Sequence, residues 1–331
     1  DLSRASLEAG WKRRFVSGTG FLATVDLIAR GDAYHVRDRD IADTQQGRST
    51  DSSEVRGFVT GHFQASYPFQ KQYEEMQWVV EPLAALTAGT NIDLSADIPN
   101  EDSQDIFIDP LTLFEANRFP GYDRIEDRYH ATYGIRTGLF GFNGSKAEVF
   151  LGQSYRVDSN DNPFPQGSGL STDDSDYVGQ ITAQLGTHLN LDYRFQLDNA
   201  DFVSRRHEVD SSVQLGRFSF SNRYFYVDGL KGTGLNESRE QLRSGLKLQL
   251  TDEWAVLGAA QYDFANENEG LRKASSGLSY EGQCISFSLI GERTLTNDVS
   301  GDSDTEIMAR IGLKNLGEFE TSGITIDSSS E

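Results

Sequence analysis

The sequence has one cysteine, Cys284, two methionines and seven prolines among 331 residues. A single cysteine excludes a disulfide within the chain. Thirty Lys and Arg against 51 Asp and Glu leave a formal net charge of −21. That excludes the basic surface that phosphate backbones require, so no nucleic-acid partner is expected. No apolar run approaches the ~20 residues of a membrane helix, but a membrane barrel strand needs only ~9–11 alternating residues. No secretory signal is visible and the first residue is Asp1, which reads as a processed or truncated product. Hydrophobic residues make up only 37%, yet there are 20 Phe, 13 Tyr, 3 Trp and 32 Gly. Aromatics in that number argue against disorder. They suit sheets with one apolar and one polar face.

Period-two alternation sets out fifteen strands, near 3–14, 19–32, 54–67, 75–86, 128–139, 145–156, 176–186, 189–198, 204–215, 217–228, 237–250, 252–265, 269–281, 283–294 and 303–315. In 189–198, Leu189, Leu191, Tyr193, Phe195 and Leu197 alternate with Asn190, Asp192, Arg194, Gln196 and Asp198. In 252–265, Trp254, Tyr262 and Phe264 sit at the ends of an apolar face whose middle is small. Asn143 and Gly144 mark a tight hairpin. Pro68 falls in an expected turn at 68–74, and Pro82 cannot donate to a ladder, so a bulge or weak point is expected there.

The turns alternate in length. The short set lies near 15–18, 68–74, 141–144, 187–188, 216, 251 and 282. The long set lies near 33–53, 87–127, 157–175, 199–203, 229–236, 266–268 and 295–302. Short periplasmic turns and long external loops follow this pattern. A soluble β-solenoid or sandwich is the competing fold. The continuous apolar face tipped with aromatics favours an all-β, antiparallel transmembrane β-barrel, of which residues 1–331 supply about 15 strands. Single-chain bacterial barrels have even strand counts, and an open edge in lipid is not viable. An odd count therefore predicts further barrel strands before Asp1.

Reaction chemistry is sparse. His35, His62, His130, His188 and His207 lie in no nucleophile or metalloprotease motif. His130 with Ser154 is a conceivable pair, but barrel lumens are dotted with such residues. Asp158, Asn160, Asp161 and Asn162 lack the glycine and distal glutamate of a calcium loop. Asp173, Asp174 and Asp176 could meet divalent ions, though a plain polar loop explains them as well. No metal site, cofactor or catalytic set is expected. Cys284 shares parity with Ser286 and Ser288, which puts it on the lumen side near the periplasmic end. A free thiol is unusual in an oxidising compartment. A partner outside this chain or a lone buried thiol would account for it.

One stretch stands out, LFEANRFPGYDRIEDR at 113–128, which closes the 87–127 loop. Its landmark residues are Asn117, Arg118, Phe119, Gly121, Asp123 and Arg124. With the following YHATYGIRTGLFG it resembles the landmark segment of the LptD family, the lipopolysaccharide-assembly proteins of Gram-negative outer membranes. WVVEPLAALTAG at 78–89, LSYEGQCISFSLIGERTLTND at 278–298 and IMARIGLKNLG at 307–317 resemble that family's Glu-Pro strand, cysteine-bearing strand and closing strand.

The resemblance implies a non-enzymatic translocon in the cell outer membrane. It would insert lipopolysaccharide into the outer leaflet through the lumen and a lateral gate. The missing parts would be N-terminal barrel strands and a periplasmic jelly roll. Implied partners are lipopolysaccharide, an LptE-like lipoprotein plug, and periplasmic bridge proteins reached through the absent N-terminal domain. Cys284 would pair with that domain; some members carry two adjacent cysteines where this chain has Gln283 and Cys284. Strand 303–315 would form one side of the gate. Its Ile307, Ala309, Ile311 and Leu313 would face lipid, and Met308, Arg310 and Lys314 the lumen. The opposite side of the seam would not be in this chain. Arg136, Arg194 and Arg223 are lumenal candidates for phosphorylated sugars. A general porin or solute channel is the second reading, and a barrel enzyme acting on lipids the third.

Overall fold

The computed structural model describes residues 2–40, 49–90, 100–104, 106–126, 129–157, 162–265, 269–295, 303–313, 317–320 and 324–327. They form one antiparallel meander of β-strands. The strands are β1 (Leu2–Val16), β2 (Leu22–Asp40), β3 (Ser49–Ser66), β4 (Phe69–Gln72), β5 (Met76–Gly89), β6 (Tyr129–Gly141), β7 (Lys146–Arg156), β8 (Tyr177–Leu185) and β9 (Leu189–Leu197). They continue as β10 (Ser204–Leu215), β11 (Phe218–Val227), β12 (Arg239–Gln249), β13 (Trp254–Asp263), β14 (Gly270–Glu281), β15 (Ile285–Leu295), β16 (Ser303–Leu313), β17 (Gly317–Glu320) and β18 (Ile324–Asp327). Each long strand pairs with its neighbours in sequence. Among the described residues no ladder joins β1 to β16, β17 or β18, so the sheet is an open barrel fragment. No helix is long and apolar enough to cross a membrane.

The fifteen long strands are those the alternation sets out. Their faces follow the pattern: Leu7, Trp11, Leu27, Val55, Val59 and Leu86 are exposed on one side of the sheet. Arg30, Asp32, Arg56, Thr87, His130 and Thr132 are buried on the other. A band of exposed apolar residues of this extent needs a non-aqueous neighbour. Aromatic pairs occur near the ends of strands, as with Trp254 and Tyr280 at 4.9 Å and Tyr262 and Phe264 at 4.7 Å.

Four boundaries differ from the sequence reading. The expected turn at 68–74 is mostly strand. β4 pairs with β5 in the same register as β3 does, and the chain turns only at 73–75. Pro68 and Pro82 interrupt the ladder by lacking N–H groups, not by shifting it. Tyr67 N–H donates to Pro82 O at 3.3 Å, and β5 pairs with β6 without a break through Pro82 and Ile135. The expected loop at 33–53 is shortened by β2 and β3, which stay paired out to Asp40 and Ser49; its residues 44–48 lie outside the described residues. β15 starts at Ile285, so Cys284 lies in the turn before it and is exposed.

The last difference is at the C-terminus. The sequence reading ended the sheet at 303–315, but β17 and β18 return along the outer edge of β16. Counted together they make a sixteenth strand, broken in two.

The two faces predict different tolerances in the full-length protein. Leu27→Arg on the apolar face is expected to cost about 2–4 kcal/mol. Thr60→Arg on the opposite face is expected to be nearly neutral. Denaturant unfolding of the protein in lipid vesicles measures both, and equal costs would refute the assignment of faces.

Candidate functional site

The interior face of β2–β10 is covered, at the long-loop end, by segments 100–126 and 162–176. The first contains a single helical turn. Asp109 accepts the N–H of Leu111 at 2.9 Å through its carboxylate and of Leu113 at 2.9 Å through its carbonyl. Pro110 follows at the first position of the turn, where its missing N–H costs nothing. The turn drives Leu113 into a fully buried position. There it meets β7 at Gly152, where an added Cβ would lie 2.5 Å from the Leu113 side chain. Leu113, Ile108, Phe119, Phe164 and Leu170 from the two segments form one core with Leu83, Phe150 and Val178 of the strands. Phe119 stacks on Phe164 at 4.4 Å, and Ile108 N–H donates to Ser168 O at 2.8 Å, joining the segments to each other. This is a packed lid, with an apolar core of its own.

Three groups of charged residues fasten the lid to the strands. Toward β1–β3, Asp32 accepts from Arg30 at 2.8 Å and from Arg56 at 2.7 Å. Arg56 also donates to the carbonyls of Tyr122 and Asp123, both at 2.7 Å, and the Arg30 guanidinium lies 4.2 Å above the Tyr122 ring. The Asp123 carboxylate accepts the N–H groups of Glu101 and Asp102 and the guanidinium of Arg4. Toward β6 and β7, buried Arg118 donates to Ser154 Oγ at 2.6 Å and pairs with Glu126 at 3.4 Å. Arg156 donates to the same Glu126 oxygen at 3.2 Å. Toward β9 and β10, Asp109 lies 3.4 Å from Arg194 and 3.3 Å from Arg206. Guanidinium groups suit this work because each can hold several acceptors in fixed directions.

The tight turn at 121–123 explains Gly121. Its φ is +80°, and a Cβ there would lie 2.5 Å from Asp102 O. Asp102 accepts the N–H groups of Tyr122 and Asp123 and the guanidinium of Arg4 at 2.6 Å. Burial alone would raise its pKa, but the Tyr122 N–H, Arg4 and the Asp123 N–H outweigh that and hold the carboxyl well below the usual value. Burial pulls the Arg118 guanidinium down, while Glu126 beside it works the other way.

The landmark residues are thus brought together in the lid. Asn117 accepts the Glu126 N–H at 2.9 Å, and the Arg124 guanidinium lies 5.8 Å from the Phe119 ring. The lumenal candidates stay apart, on β6, β9 and β11, and each faces carboxylates. Arg136 is 3.4 Å from Glu81, Arg194 is 2.5 Å from Glu208, and Arg223 donates to Asp210 at 2.6 Å. Arg136 lines a cavity of about 790 Å³ under the lid, with Glu8, Lys12, Asp26, His62 and Glu81. Of the gate residues, Ile307, Met308, Ala309, Arg310, Ile311 and Leu313 all lie on β16, with Ile307 and Ile311 exposed. Lys314 lies outside the described residues.

His130 and Ser154 are both under the lid, but Ser154 Oγ is bonded to Arg118 and neither ring nitrogen of His130 has a hydrogen-bond partner. Asp158, Asn160 and Asp161 lie outside the described residues; the Asn162 side chain bridges Leu170 O and Phe164 N–H. Among the described residues no three His, Cys, Asp or Glu are grouped to hold a metal ion.

Sequence reasoning missed most of the strand half of the lid contacts, namely Arg4, Arg30, Asp32, Arg56, Arg156 and Arg206. A signal existed. Asp32 and Arg56 are register partners of opposite charge on the polar face of adjacent strands.

Asp123→Ala is expected to remove about 3 kcal/mol or more of local lid stability, since it strands buried donors. That corresponds to roughly a hundredfold faster amide exchange in 100–126. Acid gives a second arm to the same exchange measurement. The Asp102 contribution is fully present above its unfolded value of 3.8 and is lost as pH falls below it. Exchange in 100–126 unchanged by the substitution, or loosening already at pH 6, would refute this description.

A family model described as "LPS transport system D" matches residues 1–254. The chain is similar to the "LPS-assembly protein LptD" of Acinetobacter baumannii, 27% identical over 228 residues, which is 66% of this chain and 27% of that protein. It is similar to the protein of the same name from Pseudoalteromonas translucida, 26% identical over 246 residues, 66% of this chain and 31% of that protein. A third, from Nitrosococcus oceani, is 23% identical over 211 residues, 62% of this chain and 27% of that protein. The chain spans less than a third of the length of these curated relatives.

Proposed function

The chain belongs to the LptD family, and from that membership we propose that it is the distal part of an outer-membrane barrel that delivers lipopolysaccharide to the outer leaflet. The observation that carries this reading is the lid. A passive pore needs a standing aqueous path, whereas here segments 100–126 and 162–176 enclose an apolar core with Ile108 and Leu113 almost wholly buried. A lid fastened by ion pairs is suited to a cargo that is admitted below and whose sugars pass above only when those pairs part. The long-loop end, which carries the lid, would be the external side. The chemistry is transport, with no reacting group assigned.

The cargo is anionic, and the lumenal arginines would be its polar contacts. Arg223 is the most accessible of the three, its side chain 70% exposed. Each guanidinium is held by a carboxylate, so a phosphorylated sugar would exchange with that carboxylate rather than enter a bare cationic site. The lipid chains would leave through a seam beside β16. An LptE-like lipoprotein would fill the lumen, and bridge proteins would dock through an N-terminal domain of the whole protein. Cys284, exposed in the turn before β15, would pair with that domain.

Depletion of the full-length protein tests the reading. Surface lipopolysaccharide is expected to fall and precursor to accumulate inside the envelope; normal surface lipopolysaccharide would overturn it. In the same strain Cys284→Ser is expected to change mobility on non-reducing electrophoresis. Unchanged mobility would remove the disulfide while leaving the transport reading intact.

A further inference from the structure

β16 is the strand beside which a lateral seam would lie, yet its outer edge is not bare. β17 pairs with it from Arg310 and Glu320 to Leu313 and Gly317. β18 pairs with it from Asp304 and Asp327 to Ile307 and Ile324. On its other edge β16 pairs continuously with β15 over eleven residues. The tail therefore covers the edge in two blocks of four. From the first block to the second the register shifts by one residue.

That one-residue difference matches the sequence pattern of the tail. Phe319 is at an odd position, whereas Ile324 and Ile326 are at even ones. A strand paired without a shift would put these residues on opposite faces. With the shift, Phe319 takes the register position of Ile311, Ile324 that of Ile307 and Ile326 that of Thr305. Ile307 and Ile311 belong to the exposed apolar band. Glu320 takes the position of Arg310 and Thr325 that of Glu306, on the polar face. The like pair Asp304 and Asp327 ends the ladder. The register and the alternation thus agree on both sides of the break, and the tail has the polarity of a membrane strand.

We propose that Gly317–Glu320 and Ile324–Asp327 form a stand-in strand, which pairs with β16 while the lateral seam is open and yields that edge when the barrel closes. This rests on the reading of β16 as a gate strand. The physical need is plain: an opened seam in lipid leaves a row of N–H and C=O groups without partners, which hydrocarbon cannot supply. A segment of the same chain, already beside the edge, can supply them. Closure and tail pairing would be mutually exclusive, since both use one edge of β16.

The test uses the full-length protein in its membrane. Ile307→Cys with Ile324→Cys places thiols at register partners, whereas Ile307→Cys with Thr325→Cys places them on opposite faces. Oxidation products are mapped by mass spectrometry, which separates the engineered pair from Cys284. The first pair is expected to link in a fraction of molecules and the second is not. Linking of the first pair is expected to fall at least several-fold when position 309 is cross-linked to the opposite edge of the barrel. Thr325→Pro, whose ring disfavours ladder pairing in the tail, is expected to leave barrel assembly unchanged and to slow lipopolysaccharide delivery several-fold. No 307–324 link under any condition, or a link with delivery unaffected by Thr325→Pro, overturns the proposal. The gate reading has a separate readout. If tying position 309 to the opposite edge leaves delivery unchanged, that reading fails, whether or not the 307–324 link forms.

Discussion

A strand in hydrocarbon must find a partner for every backbone N–H and C=O. The meander satisfies this from β1 to β16 by pairing each long strand with its sequence neighbours. The prolines show how strict the requirement is. Pro82 withholds one donor, yet Tyr67 still donates to its carbonyl and the register runs on through β4. The same requirement explains why the sheet edges matter. An edge in lipid has to be closed by the rest of a barrel or covered by another segment, and on β16 the tail takes that place.

Once the walls are built, the lid can be held by charge. Its own core is small, and the charged groups around it divide the work by side: Arg30, Asp32 and Arg56 toward β2 and β3, Arg118, Glu126 and Arg156 toward β6 and β7, and Asp109, Arg194 and Arg206 toward β9 and β10. Ion pairs of this kind give position more than net stability, because burying each charge costs nearly what its pairing returns. That balance suits the lid opening that the proposed transport needs. Neutral packing of equal area would hold it more firmly and release it less readily.

Most of the walls were legible in the sequence, because a two-faced strand writes its environment at every second residue. Leu189 to Leu197 is an example that needs no structure. The tail was not legible: Phe319 and Ile324 break parity, so no single alternation runs through Gly317–Asp327. For the lid, the landmark residues stood out as a group of aromatics and charges without a period. Their partners did not, since Arg118 with Ser154 and Arg56 with the Asp123 carbonyl are separated by 36 and 67 residues. Such contacts depend on how a loop folds back over a wall, which local pattern does not encode. Cys284 was misplaced by two residues of strand boundary, enough to move it from β15 into a turn.

On the proposed transport reading, the lid opens for the sugars of the cargo to pass. The most direct measurement ties it shut, with Arg118→Cys on the lid joined to Ser154→Cys on β7 by a reducible cross-link in the full-length protein, and follows delivery of lipopolysaccharide to the surface. Delivery is predicted to stop while the link is intact and to resume on reduction. Delivery at the unlinked rate with the link in place would contradict the account.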